Sequence, residues 1–445
     1  MSNKPNLILI TIDALRVDHL GFMGYDKGVS PNIDSLAKES IVFKNAFSVG
    51  PNTSYSFPSI LTSTYPLDYQ GPEEIKEPRA LISEVFQKQG FITAAFHSNP
   101  YLSNYFGYDK GWDVFKDINF SIKSSVSGRF KKRFNKLLIF TFPKIFFWIA
   151  YLKYRINGPK NTRVRASLIN QVAKDFILSL KKENKPFFVW IHYLDIHTPP
   201  SCYSEGKVCS YSELIGDCVS SAIRTNGNKG ALKRFIRKNF KKYLSKTISL
   251  YDEEIKHLDK EIGSLLSFLK EQNIYQNSIL CVTADHGDEF LEHGGVGHDT
   301  QLYNEVLAVP LLIKSEESVS ASKVIEYKVS LIDLAPTLCD LARVGKDSAF
   351  KGKSLFNKRE DLIFHQSASS KKESHHLNQR KVACQSSNWK YILDHGAKKE
   401  ELYNLLSDPG EKDNIIKSNP EILFEIRKKV EEFEKINKPV LWKNN

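Results

Sequence analysis

Leu7-Ile8-Leu9-Ile10-Thr11-Ile12-Asp13-Ala14-Leu15 is the stretch from which the fold is read. Residues Leu7–Ile12 form a continuous apolar run without polar alternation, the pattern of a parallel strand buried on both faces. A carboxylate, Asp13, follows at once. The same arrangement recurs further along the chain. Phe91–Phe96 ends in His97, Ser98 and Asn99, Pro186–Ile191 ends in His192, and Ser278–Ala284 ends in Asp285-His286-Gly287. Between these runs lie helical patterns over Leu81–Gln89, Ala166–Lys181 and Tyr243–Gln272. The last carries the stripe Leu250, Ile255, Leu258, Ile262, Leu265, Leu266, Leu269. Strands alternating with helices predict an α/β protein with a mostly parallel, doubly wound sheet. In such a sheet the carboxyl ends of the strands line the ligand crevice. Asp13, His192, Asp285 and His286 are therefore expected to converge along one edge.

A helix is also read over Pro31–Lys38, with Asn32 as its cap. After Pro310 the pattern loosens. Lys328–Arg343 reads as a helix, Lys390–Leu393 as a strand and Pro420–Glu434 as a closing amphipathic helix. The expected organisation is a main α/β domain over 1–345, with a basic, apolar insertion at about 118–165, and a smaller α+β subdomain over 346–445.

The net charge of +12 is local: Ile118–Lys174 holds thirteen Lys or Arg and no Asp or Glu. Outside that segment the chain is nearly neutral, so no nucleic-acid partner is expected. Within it, Leu137–Leu152 is apolar and aromatic, with Lys131, Lys132, Arg133 and Lys136 before it and Lys153 and Arg155 after it. Basic flanks favour an anionic lipid surface by about 1 kcal/mol per residue, so 131–155 is expected to rest on a membrane; a helical hairpin packed on the main domain is the alternative. No transmembrane run or signal-peptide core is evident. The expected location is cytoplasmic, with peripheral contact at the inner membrane face. Cys202, Cys209 and Cys218 share one polar loop without a CxxC pair, and are read as free thiols rather than a zinc site.

Three local patterns carry chemistry. Asp285-His286 can place a carboxylate and an imidazole on one cation, or simply cap the next helix. Asp13 has no following helix to cap and is better explained as a second ligand. In Thr53–Ser63 (TSYSFPSILTS), Pro58 suits a first helical position, which would set Ser56 just before the helix start beside free backbone N–H groups. Anionic esters bind there, and a metal ion would favour the serine alkoxide; otherwise Ser56 is only a cap.

These segments together resemble the sulfatase family of the alkaline phosphatase superfamily. The resemblance runs through Leu7–Gly24, Ser56–Ser59, Leu61–Ser63, Trp190–Pro199, Thr283–His298, Leu302–Ile313, Asp333–Leu341 and Glu401–Asn414, in the family's order. It implies an alkaline-phosphatase-like fold. It also implies that Asp13, Asp285 and His286, with the Ser56 hydroxyl, hold one divalent metal ion. That ion is calcium by resemblance, with manganese or zinc open because the ligands mix oxygen with nitrogen. Ser56 falls on the nucleophile position, His197 beside the leaving group, and His298 where the anion is held. Asn99 and His192 are candidate substrate donors; His97 and His293 are further candidates at strand ends and loops. Two departures stand out: Ala14 replaces a usual second aspartate, and Ile60 replaces the arginine of the formylglycine signal. An unmodified, non-formylglycine nucleophile is therefore expected.

The implied activity is hydrolysis of a sulfate ester, small or glycan- or lipid-linked. Phosphodiester or phosphonate monoester hydrolysis and phosphotransfer are alternatives, as is a sulfatase-like binding protein without turnover. With Ile60 and His298 at anion-facing positions, local positive charge is reduced, which favours a singly charged ester over a phosphate monoester.

Overall fold

The computed structural model describes residues 4–118, 165–197, 229–316, 323–357, 361–368 and 379–437, apart from 70, 73 and 184, together with two short strands at 203–204 and 207–208. Side chains of the long helix are described from 244 onward, except 246. The expected membrane contact at 131–155, nearly all of the 118–165 insertion and the three loop cysteines lie outside these residues. Among the described residues, no helix is long and apolar enough to cross a membrane.

The first apolar run becomes strand β1 (Asn6–Ile12), buried from Leu7 onward. It is flanked on both sides by parallel partners, β5 (Phe187–Tyr193) and β6 (Ser278–Ala284), each buried at every position. Burial on both faces explains why these runs show no alternation. Beyond β5 lie β3 (Ile92–His97) and β4 (Val114–Asp117), also parallel. On the other side β8 (Leu311–Lys314) runs antiparallel to both β6 and β2 (Ile41–Phe47). The short β7 (Ala308–Val309) is antiparallel to β2, and β9 (Lys323–Ser330) is parallel to it. The result is a nine-stranded, mixed and mostly parallel sheet with β1 near its centre. Strand β1 is central, and its carboxyl end lies between those of its parallel neighbours β5 and β6, the edge at which such sheets bind ligands.

Helices α1 (Pro31–Ala37), α2 (Thr53–Thr62), α3 (Ile82–Lys88), α4 (Ala166–Ser179) and α5 (Lys229–Glu271) accompany the sheet. The predicted stripe from Leu250 to Leu269 on α5 is buried throughout. The α1 cap differs from expectation. Ser30 precedes the helix, and the free N–H groups of Asn32 and Ile33 donate instead to Asp259 of α5, at 3.0 and 2.8 Å. Lys328–Arg343 also differs: Lys323–Ser330 is strand β9, and only Leu334–Leu341 is helix (α6). Pairing with β2 captures residues that a helical pattern equally fits.

The C-terminal part is an antiparallel meander, β10 (Leu362–Ala368), β11 (Arg380–Ser386), β12 (Trp389–Asp394) and β13 (Lys399–Asn404). Helix α7 (Pro420–Ile436) covers it, with Leu423, Ile426, Val430 and Phe433 packed on Val382, Cys384, Tyr391 and Leu402. Strand β10 docks on the loop before α2. His365 Nδ1 donates to Ser48 O at 2.7 Å, the Gln366 N–H to Val49 O at 2.8 Å, and Tyr55 Oη donates to Ala368 O at 3.2 Å.

Candidate metal and ester site

Strand register brings the site together. Ile12 lies opposite both Tyr193 and Ala284, so Asp13 and Asp285 emerge side by side. The Asp13 N–H donates to Tyr193 O at 2.9 Å. Ala14 then turns into the left-handed region, φ 58°, and aims its N–H at Asp285 Oδ1, 3.1 Å away. A non-glycine residue in that region costs roughly 1 kcal/mol or more.

Asp13, Asp285 and His286 are fully buried, and one ligand atom from each lies within 4.8 Å of the other two. His286 Nε2 is 3.8 Å from Asp13 Oδ1 and 3.5 Å from Asp285 Oδ2. These three atoms make no hydrogen bond. Buried polar atoms in folded proteins usually find partners, and two buried carboxylates are costly without a compensating charge. His286 Nδ1 is 2.9 Å from Gly287 O. A carbonyl only accepts, so Nδ1 carries the proton and the Nε2 lone pair faces the carboxylates, the tautomer a ligand requires. Burial, with His298 nearby, pushes His286 down to about 3 and keeps it neutral. Burial would raise Asp13, but His197, His192 and His286 outweigh it and hold the group well below the usual carboxylate range. Asp285 is pushed well above that range by burial and then by the Asp13 charge. This donor set fits one divalent cation, which would allow both carboxylates to ionise.

Helix α2 points its first turn at this cluster. Asn52 is the cap, accepting from the Tyr55 N–H at 3.3 Å, and Thr53 is the first helical residue. The Thr53 hydroxyl donates to Asp13 Oδ2 at 3.3 Å. This corrects the expected setting of Ser56. The helix starts five residues earlier than Pro58 suggested, and Pro58 lies inside it. Ser56 is one turn in, fully buried, with its hydroxyl 2.9 Å from Asn52 O, 3.0 Å from Gly50 O and 2.9 Å from Ser48 Oγ. None of its hydrogen bonds reaches the carboxylates. Thr53, whose hydroxyl faces the cluster, was not singled out by the sequence; the available signal was Asn52, as good a cap as serine. Ile60 is also corrected: it is 1% exposed and packed in the main core, so it faces no anion.

The other expected residues divide. His197 reaches the cluster, its Nε2 4.0 Å from Asp13 Oδ1 and its side chain 29% exposed. His298 is beside it, with ring centroids 5.0 Å from His197 and 4.1 Å from His286. Its Nδ1 donates to Asp288 Oδ1 at 2.6 Å; burial would lower its pKa, but Asp288 outweighs burial and raises it. Asn99 Nδ2 donates to Asp13 Oδ2 at 2.9 Å, and His192 Nε2 lies 3.6 Å from the same oxygen. Asn99 therefore serves Asp13 directly, while His192 Nε2 lies beside it without a hydrogen bond. His97 is buried and stacked on Trp190 at 5.6 Å, away from the cluster. His293 is elsewhere, between Glu305 (2.6 Å) and Glu411 O (2.8 Å) and stacked on Tyr303 at 3.5 Å. Glu289, His293 and Glu305 also lie within 4.8 Å of one another, but hydrogen bonds already satisfy them.

The model of the sulfatase family matches residues 5–344, and that of the N-sulphoglucosamine sulphohydrolase C-terminal region matches 292–436. An arylsulfatase of Clostridium perfringens is 26% identical over 462 residues, covering 93% of this chain and 91% of the relative. A Delta 4,5-hexuronate-2-O-sulfatase of Bacteroides thetaiotaomicron is 22% identical over 428 residues, covering 93% and 85%. The solved structure of a phosphonate monoester hydrolase of Agrobacterium radiobacter is similar in fold, with a TM-score of 0.73 at 17% identity over 98% of this chain and 96% of that one. With the family match spanning most of the chain and a buried carboxylate–histidine cluster at the carboxyl ends of β1 and β6, this protein belongs to the sulfatase family, within the alkaline-phosphatase-like superfamily.

Proposed function

We propose that this chain is a metal-dependent hydrolase of sulfate esters in which the Thr53 hydroxyl, rather than Ser56, attacks the ester. The observation that carries this reading is the 3.3 Å approach of Thr53 Oγ1 to Asp13 at the first residue of α2. Free N–H groups and the helix dipole favour an anion at that end. Asp13, Asp285 and His286 are the proposed ligands; a divalent cation there would acidify the Thr53 hydroxyl and polarise the ester. Calcium is implied by the family, while one imidazole in the set suits manganese or zinc. Asp13 Oδ2 is the acceptor aligned with the Thr53 proton. His197, partly exposed at the rim, donates a proton to the departing alkoxide. His298, backed by Asp288, holds positive charge against the peripheral ester oxygens. Water or another acceptor then releases the covalent ester from Thr53.

The side chains that this chain turns toward the ester, His197 and His298, are histidines and not lysine or arginine, which suits a singly charged ester better than a phosphate monoester. A sugar alcohol is the proposed leaving group, in line with the hexuronate sulfatase among the relatives. A second reading, cleavage of a phosphodiester or phosphonate monoester, is favoured by Thr53 itself. Its carbinol is secondary, so oxidation would yield a ketone and not the formylglycine aldehyde, and attack falls to the alcohol.

Nitrophenyl sulfate, phenylphosphonate, phosphodiester and phosphate monoester, each with calcium, manganese or zinc, test the proposal. Sulfate is expected to give the highest kcat/KM, and Thr53→Ala to lower it by about 10³-fold. A phosphate monoester as best substrate would refute the charge argument. Metal binding without turnover of any ester would identify a binding protein.

A further inference from the structure

Thr11 and His192 are direct partners in the parallel β1–β5 pair, and Trp190 precedes His192 by two residues on the same face. Trp190 Nε1 is 2.9 Å from Thr11 Oγ1, and Thr11 Oγ1 is 2.9 Å from His192 Nδ1. An indole nitrogen only donates, so the Thr11 oxygen accepts from Trp190. The single Thr11 proton then has two acceptors in range, His192 Nδ1 at 2.9 Å and Ile191 O at 3.5 Å. A proton on Nδ1 would leave the Nε2 lone pair facing the Asp13 carboxylate, 3.6 Å away, so the Thr11 proton goes to Nδ1. His192 Nδ1 is therefore the acceptor, and its proton is on Nε2, which lies 3.6 Å from Asp13 Oδ2. The ring is held there by Phe57, edge-on at 5.1 Å.

We propose that His192 is a positioning residue for Asp13: the chain Trp190–Thr11–His192 fixes the Nε2–H tautomer, so the imidazole directs an N–H at Asp13 Oδ2 and is barred from the cation site as a ligand. Asn99 and Thr53 donate to the same oxygen, at 2.9 and 3.3 Å. Asp13 thus has one oxygen surrounded by donors, while Oδ1 makes no hydrogen bond and faces His286. The carboxylate is presented to the cation through Oδ1 alone. Histidines facing a metal cluster are commonly taken for ligands; here the partner of the far nitrogen decides otherwise. The inference rests on the reading of Asp13 as a ligand, but the tautomer can be measured without any metal.

Long-range proton–nitrogen spectra of histidine-labelled, metal-free protein, with the His192 signal assigned through His192→Gln, read the tautomer directly. A protonated Nε2 and a lone-pair Nδ1 are expected, unchanged on adding zinc. A protonated Nδ1, or an Nε2 signal that moves to a metal-bound position with zinc, would overturn the proposal. Zinc titration adds a second readout. His192→Gln keeps an N–H donor and is expected to hold affinity within about threefold, whereas His192→Phe should weaken it by about 10–100-fold. Equal losses in the two variants would count against a donor role. Failure of wild-type protein to bind zinc, manganese or calcium would defeat the metal-site reading, and the tautomer result would still decide this one.

Discussion

Thr53 and Ser56 are both hydroxyl residues of the first turn of α2, yet their surroundings differ. Thr53 faces a carboxylate, whereas Ser56 lies within reach of two backbone carbonyls of its own loop. The two substitutions are expected to separate cleanly. Ser56→Ala should cost about 1 kcal/mol of stability, read from denaturant midpoints, and leave kcat/KM within about tenfold. Thr53→Ala should do the reverse, with folding intact and activity lost. A Ser56→Ala enzyme as inactive as Thr53→Ala would return the nucleophile to Ser56.

At the scale of elements, the segment after β6 is fastened to the C-terminal subdomain by His293. Its Nδ1 meets Glu305 and its Nε2 meets Glu411 O, both acceptors, so the ring carries both protons. Burial would lower its pKa, but Glu305 outweighs burial and raises it, while Lys412 opposes and Glu289 lies close by. With the folded value above the unfolded one of about 6.5, the stabilisation is complete below that pH. It fades as pH rises through the folded pKa. The melting-temperature gap between wild type and His293→Gln should therefore be widest near pH 6 and shrink toward pH 9. A gap that widens with pH would contradict the double-donor assignment.

At the scale of the whole molecule, the C-terminal subdomain is part of the scaffold that holds the site. Strand β10 grips Ser48 and Val49, just ahead of the Thr53 helix. Behind it Lys390 and Glu411 form an ion pair at 2.7 Å with side chains 0% and 1% exposed, and Lys390 also donates to Asn304 Oδ1 at 2.9 Å. Removing one member of such a pair strands the other. Lys390→Met should cost about 3–5 kcal/mol by chemical denaturation. Lys390→Met combined with Glu411→Gln should recover more than half of that loss. A single variant as stable as wild type would mean that the pair carries no such burden.

The apolar runs at β1, β5 and β6, the buried stripe of α5 and the closing helix α7 were legible in the sequence, because strands covered on both faces and amphipathic helices write their burial into consecutive residues. So was the meeting of Asp13, Asp285 and His286, since each ends such a strand. Strand β2, interrupted by Lys44 and Asn45, and strand β9, whose residues fit either period, were not, because pairing rather than local pattern makes them strands. The start of α2 was a contest between two good caps, Asn52 and Ser56, that only the docking of the loop before it resolves. Ile60 and His293 were assigned by position in the chain, and packing placed one in the core and the other in an ion pair. The sequence by itself determined the α/β fold and the meeting of Asp13, Asp285 and His286 at the strand ends. Only the tertiary structure decided which hydroxyl faces them and what His192 and Asn99 do, because those contacts join residues up to 181 positions apart, across strands whose register no local segment encodes.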